Sequence, residues 1–179
     1  MLLDGHGARR PARRLWAASS HLLAKLTEGP TGYDFEGVAR WPRRAGADLR
    51  ETELVLVPLN VGNQHWTLAA IEPRLRVVHY FDSLGPARRL RVRIDVDGAG
   101  AEGEGGGGEW TVLVHAASEV PQQRNTVDCG VFCIEMGRAL AEGRAWGFGQ
   151  SDVSFLRRQL ALQVAQAGPT GEGLAGCAR

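Results

Sequence analysis

Val120-Pro121-Gln122-Gln123-Arg124-Asn125-Thr126-Val127-Asp128-Cys129-Gly130-Val131-Phe132 is the stretch that decides how this chain folds. It sets Cys129 directly before an apolar run over 131–140, whose spacing predicts a helix. A cysteine at a helix N-terminus faces unpaired backbone N–H groups and the positive end of the macrodipole. That setting favours the thiolate, which is the nucleophilic form. An amide, Gln123, precedes the cysteine by six residues and lies within reach of the same point. Farther upstream, His65-Trp66 opens one predicted strand and Asp82 closes the next.

The rest of the chain sets the frame. Its 179 residues are enough for one domain with its own core, and a 44% hydrophobic content fits a globular protein. A single domain over 1–179 is expected. The net charge of +1 gives no electrostatic argument for nucleic acid as a partner. Lys25 is the sole lysine, and arginine, alanine and glycine are all abundant, as in a GC-rich genome. Basic clusters therefore carry little weight. Arg9, Arg10, Arg13 and Arg14 read as a solvated helix start, with a nuclear-localisation cluster or transit segment as the sharper reading.

The three cysteines are Cys129, Cys133 and Cys177. Odd and widely spaced, they form no disulfide framework, and a reducing compartment is expected. Cys129 and Cys133 find no second Cys or His pair to complete a tetrahedral zinc site, so no metal or other cofactor is expected. No apolar run approaches the roughly 20 residues that span a bilayer, so no membrane partner is expected.

Along the chain, the apolar spacing over 12–28 predicts an amphipathic helix stopped by Gly29-Pro30. Tyr33, Phe35, Val38 and Trp41 predict a short second helix ended by Pro42. Leu54-Val55-Leu56-Val57 reads as a buried strand. Strands follow over 66–71 and 76–81, with Pro73-Arg74 between them as a hairpin turn. Residues 88–93 are open between a short helix and an extended link. The segment 97–109 is glycine-rich and predicts a flexible surface insertion. It lacks the Lys-Ser/Thr of a phosphate loop. A strand over 110–114, the helix after Cys129, and a helix over 151–166 complete the pattern. In that last helix Val153, Leu156, Leu160 and Val164 share one face. Residues 168–179 read as a frayed tail. Helices flank the strands without regular βαβ alternation, which makes the fold class α+β.

Singly, His65, Asp82 and Cys129 each have ordinary structural readings. Together they do more. The start of one hairpin strand lies beside the end of the next, so Asp82 can hold one ring nitrogen of His65 and leave the other for the thiol. Gln123 would donate an N–H to a developing oxyanion, beside the backbone N–H of Cys129. These are the parts of a cysteine protease. Cys133, one turn on, reads as a small buried hydrophobe. Asn125 and Asp128 read as turn residues.

At these residues the chain resembles a known family. Gly62-Asn63-Gln64-His65-Trp66, Tyr80-Phe81-Asp82-Ser83-Leu84-Gly85 and the stretch from Pro121 to Phe132 are similar to the SUMO-specific, or sentrin-specific, cysteine proteases. The likeness runs from about residue 20 to about 165. It implies a papain-like fold, a central mixed sheet flanked by helices with the nucleophile at a helix N-terminus. It implies cleavage after the C-terminal Gly-Gly of SUMO, in precursor maturation and in removal from lysine side chains. It assigns His65 as base, Asp82 as orienter, Cys129 as nucleophile and Gln123 as oxyanion donor. Trp66 becomes one wall of a narrow tunnel for the Gly-Gly tail, which suits glycine because only glycine passes between flat aromatic faces. SUMO and its conjugates are the implied partners, and the implied location is intracellular, the nucleus before the cytoplasm. The family usually begins with a Trp-Leu-Asn-Asp segment forming the other tunnel wall. Here Trp16 stands in Leu15-Trp16-Ala17-Ala18, so a late start and impaired clamping of substrate are expected. The rival readings are a protease for another modifier, of Nedd type, and a binding module without turnover.

Overall fold

The computed structural model describes residues 14–27, 32–86, 90–96 and 108–167. The elements in chain order are strand β1 (Leu15–Ala17), helices α1 (Leu22–Thr27) and α2 (Trp41–Arg44), and strands β2 (Leu54–Val61), β3 (His65–Glu72), β4 (Val77–Phe81), β5 (Leu90–Val96) and β6 (Gly108–Val114). Helices α3 (Cys129–Glu142) and α4 (Val153–Ala167) follow. The six strands form one mixed sheet in the order β1-β2-β3-β4-β6-β5. β1 with β2 and β4 with β6 are parallel pairs, and the other neighbours are antiparallel. The architecture is α+β, as expected.

β2 explains the layering. Its first four residues are all buried. Successive side chains of a strand point to opposite faces. Leu54 and Leu56 accordingly join Leu68, Phe81, Phe132, Met136 and Leu140 in a core between the sheet and α3. Val55 and Val57 join Trp16, Ala18 and Ala69 on the other face, with Leu22 and Trp41 packed against them. A buried side chain of this kind stabilises by ~1.5–3 kcal/mol. Phe132 and Met136 are fully enclosed, so truncating either to Ala is expected to cost about 2–5 kcal/mol.

Several expectations are corrected. Residues 12–28 do not form one helix. Trp16 and Ala18 are buried on the sheet, Leu15–Ala17 pairs in parallel with Leu54 to Leu56, and among the described residues of that range only Leu22–Thr27 is helical. Pro42 does not end a helix. It sits in the first turn of α2, where its missing N–H has no intrahelical partner to lose. Residues 88–93 were open between helix and link, and β5 resolves them as strand from Leu90 onward, paired with β6. On α4, Val153 and Leu156 are buried while Val164 is 74% exposed, so the stripe leaves the core within three turns. Gly29-Pro30, most of the glycine-rich segment, the tail from Gly168, Cys177 and Arg9, Arg10 and Arg13 lie outside the described residues.

Two turns deliver the site residues. Gly62 and Asn63 both adopt left-handed backbone, φ 60° and 57°, and Gln64 N–H closes the turn on Val61 O at 3.2 Å. That conformation suits a tight hairpin and costs glycine nothing. It makes His65 the first residue of β3, paired with Val61. At the far end of β3, Pro73–Leu75 forms a 3-10 turn that returns the chain into β4. Leu68 then faces Phe81, which brings Asp82 back to the edge where His65 lies.

Candidate active site

His65 Nε2 lies 2.6 Å from Asp82 Oδ1. The carboxylate accepts, so Nε2 carries the proton and Nδ1 is left for the other partner. That partner is the Cys129 sulfur, which hydrogen-bonds the ring. Asp82 Oδ1 also accepts the Leu84 N–H at 2.7 Å, which fixes the carboxylate at the strand exit.

The electrostatics drive the pair apart in the useful sense. Burial opposes the charged imidazole, but the hydrogen bonds to Asp82 and Cys129, with their charges, outweigh it and raise the His65 pKa above 6.5. Burial likewise opposes the thiolate. The Trp66 backbone N–H, the His65 hydrogen bond and charge, and the Gly130 N–H outweigh it, and the Cys129 pKa falls below 9.0. Raised base and lowered acid favour a thiolate–imidazolium pair. Cys133 goes the other way. Burial and the neighbouring Cys129 charge push it up to about 12, and its S–H donates to Thr67 O at 3.2 Å.

Cys129 is the first residue of α3, as expected. Gln123 is buried in the loop before it. Its Oε1 accepts from Ser83 Oγ at 2.5 Å, and its Nε2 donates to Asn125 O at 2.5 Å. The carbonyl acceptor settles which end of the amide is nitrogen. One Nε2 hydrogen remains, since an amide carries two. Trp66 lies between two surface hollows. One, of about 550 Å³, is shared with Cys129, Gln64, Ile134 and Arg157. The other, of about 300 Å³, is shared with Ser20, His21 and Asn63.

The structure brings His65, Asp82, Cys129 and the Trp66 main chain together, and ties Gln123 to Ser83, the residue after Asp82. It adds others that the sequence reading missed. Ser83 anchors the Gln123 amide, Gln122 Nε2 donates to Asp82 O at 3.1 Å, and the Trp66 main chain touches the sulfur. Ser83 adjoins Asp82, and that adjacency was the one available signal. Asp128, read as a turn residue, is a hub: it accepts from Asn125 Nδ2 at 2.6 Å, Gln150 Nε2 at 2.7 Å and an Arg157 N–H at 2.6 Å. Among the described residues, no group of three His, Cys, Asp or Glu side chains is arranged to hold a metal ion, and no helix is long and apolar enough to cross a membrane.

Sheet, helix and thiol together define the class: the α+β fold of the papain-like cysteine proteases, with a cysteine at the head of a helix. The chain belongs to the Ulp1 protease family, whose C-terminal catalytic domain it matches over residues 10–94 and 111–169. The residues passed over between 94 and 111 contain the glycine-rich segment. Sentrin-specific protease 2 of Mus musculus is 29% identical over 156 residues, 84% of this chain and 25% of the relative. Ubiquitin-like-specific protease 1A of Arabidopsis thaliana is 27% identical over 175 residues, 93% of this chain and 34% of the relative. The chain therefore spans about a quarter to a third of the length of these relatives. Among solved structures it is similar to the SUMO protease Ulp1 with its catalytic cysteine oxidised to a sulfonic acid. The TM-score is 0.61 at 20% identity, covering 83% of this chain and 67% of that one. The Chaetomium thermophilum Ulp1-like SUMO protease catalytic domain gives 0.60 at 24% identity, covering 87% and 62%. At these identities the likeness speaks for the fold.

Proposed function

We propose that the chain is a cysteine-type isopeptidase and endopeptidase that cleaves after the C-terminal Gly-Gly of a SUMO-type modifier. The observation that carries this reading is one histidine with Asp82 on one ring nitrogen, at 2.6 Å, and the Cys129 sulfur as its other partner. Family membership supports the modifier class, and the relatives are proteases named for sentrin and ubiquitin-like proteins.

In this reading Cys129, His65 and Asp82 are the triad. The Cys129 thiolate attacks the glycine carbonyl carbon, and the carbonyl electron pair moves onto oxygen. The Cys129 backbone N–H and the remaining Gln123 N–H receive that oxyanion, one such donor being worth about 10²–10³ in rate. His65 gives its proton to the departing amine, the C–N bond breaks and a thioester remains. Water then adds, His65 takes its proton, and the acid leaves as the thiolate re-forms. Trp66 guides the tail between the two hollows, where a residue with a side chain would collide with the ring.

The test is fluorophore release from SUMO-Gly-Gly, with Cys129→Ala alongside. Turnover that the variant lacks is the expected result. Binding of SUMO without turnover by the folded protein would overturn the reading in favour of a binding module. Preference for a Nedd-type tail would correct the modifier.

A further inference from the structure

Asp128 occupies the N-cap position of α3, yet its side chain does not cap the helix. Only 5% exposed, its carboxylate instead takes hydrogen bonds from Asn125, Gln150 and Arg157. The same Arg157 nitrogen also donates to Val127 O at 2.9 Å. One guanidinium on α4 thus grips the two residues immediately before the nucleophile. Gln150 works alongside it, accepting the Arg124 N–H at 2.6 Å and donating to Asp128. Asn125 ties the same carboxylate to the loop whose carbonyl holds Gln123.

The arrangement poses an electrostatic problem and answers it. A buried carboxylate one residue before a thiol opposes the thiolate, because like charges disfavour each other's ionised form. A pairing cation removes most of that repulsion. Arg157 sits against Asp128 and also lines the hollow that Cys129 shares with Trp66.

We propose that Arg157 is a positioning residue for Cys129: it fixes the backbone of Val127 and Asp128 at the head of α3 and cancels the Asp128 charge beside the sulfur. The inference builds on the reading of Cys129 as nucleophile. His65 on β3 is the charged group that acts on the sulfur directly, with Asp82 behind it on the other ring nitrogen. Asp128 directly precedes the cysteine with Arg157 of α4 paired to it, and Cys133 lies one turn on.

The experiment is the pH dependence of iodoacetamide alkylation at Cys129, followed by peptide mass, in the whole chain. Alkylation needs no modifier substrate, so its result stands apart from that of the turnover assay. Arg157→Gln is expected to move the alkylation midpoint about one pH unit alkaline, the size of effect that one nearby uncompensated charge produces. Asp128→Asn, with Arg157 left in place, is expected to move it acid. Asp128→Asn with Arg157→Gln is expected to return more than half of the Arg157→Gln shift, because both charges are gone. Arg157→Lys, which keeps the charge, is expected to hold the midpoint near that of the parent chain. An unmoved midpoint in Arg157→Gln, or a double variant as shifted as the single one, would overturn the proposal. If Arg157→Gln does not fold, the Asp128→Asn and Arg157→Lys midpoints decide: an acid shift in the first with none in the second supports it, and any other pair of results refutes it.

Discussion

Ser83 Oγ donates to Gln123 Oε1 at 2.5 Å, joining the exit of β4 to the loop before α3 across forty positions of sequence. A buried hydroxyl and a buried amide here satisfy each other, and the amide nitrogen is turned to the opposite side. In the proposed mechanism, the residue after the orienting carboxylate would therefore orient the second oxyanion donor.

Ser83→Ala should expose that dependence. The amide loses its anchor, and kcat is expected to fall about tenfold with KM little changed, a fraction of the full loss of one oxyanion donor. The unpaired buried Gln123 oxygen should also cost about 1–3 kcal/mol of stability. Steady-state kinetics and denaturant melts measure the two effects separately. A Ser83→Ala enzyme with unchanged kcat would remove Gln123 from the oxyanion role.

The opposed pKa shifts of Cys129 and His65 predict a bell-shaped profile of kcat/KM. Activity rises as the thiol ionises below its ordinary 9.0. It falls as the imidazolium loses its proton above its ordinary 6.5. Asp82 is one of the groups that raise His65, by hydrogen bond and by charge. In Asp82→Asn the alkaline limb is expected to move to lower pH. A limb that stays in place, measured on a fluorogenic tail, would contradict the assignment of Asp82 as orienter.

The two helix cysteines should behave oppositely. Cys129→Ala is expected to abolish turnover, while Cys133→Ala keeps most of it. Cys133 is buried, held to about 12 and donating to a strand carbonyl, so it is almost wholly un-ionised near neutrality. Replacing it removes one buried sulfur and costs on the order of 1 kcal/mol. Equal loss from both variants would disqualify Cys129 as the sole nucleophile.

Acid should act on the Asp128 hub. Arg157, Asn125 and Gln150 hold its carboxyl down to about 2, against an ordinary 3.8. A depressed folded-state pKa contributes stability above the unfolded value and loses it as pH falls through the folded one. Urea midpoints of the parent chain are therefore expected to fall between about pH 4 and pH 2. Those of Asp128→Asn should start lower and fall less over the same window. Parallel curves would show that the hub contributes nothing to acid stability.

What the sequence made legible follows from distance along the chain. The apolar run of β2, the hairpin of β3 and β4, and the helix behind Cys129 are local patterns, and all are present. The meeting of His65 and Asp82 follows from the hairpin itself, so it too was within reach. Leu15–Ala17 was misread because its apolar spacing fits a helix. Pairing with Leu54 to Leu56, nearly forty residues on, overrides that preference. Asp128 looked like a turn residue because its Arg157 partner lies 29 positions away. β5 had no local signature to separate strand from link, since its partner β6 comes after the glycine-rich segment.

The sheet order has a practical side. β4 and β6 run parallel, with Tyr80 beside Val114, so both strands finish at the rim that holds Asp82 and Ser83. β5 runs back against β6 and closes at Val96 opposite Gly108, at the other rim. An affinity tag or fluorescent reporter inserted between Val96 and Gly108 would join the sheet at two strand ends on the rim away from Asp82. That position offers a handle for immobilising or tracking the protein with both chain ends left free.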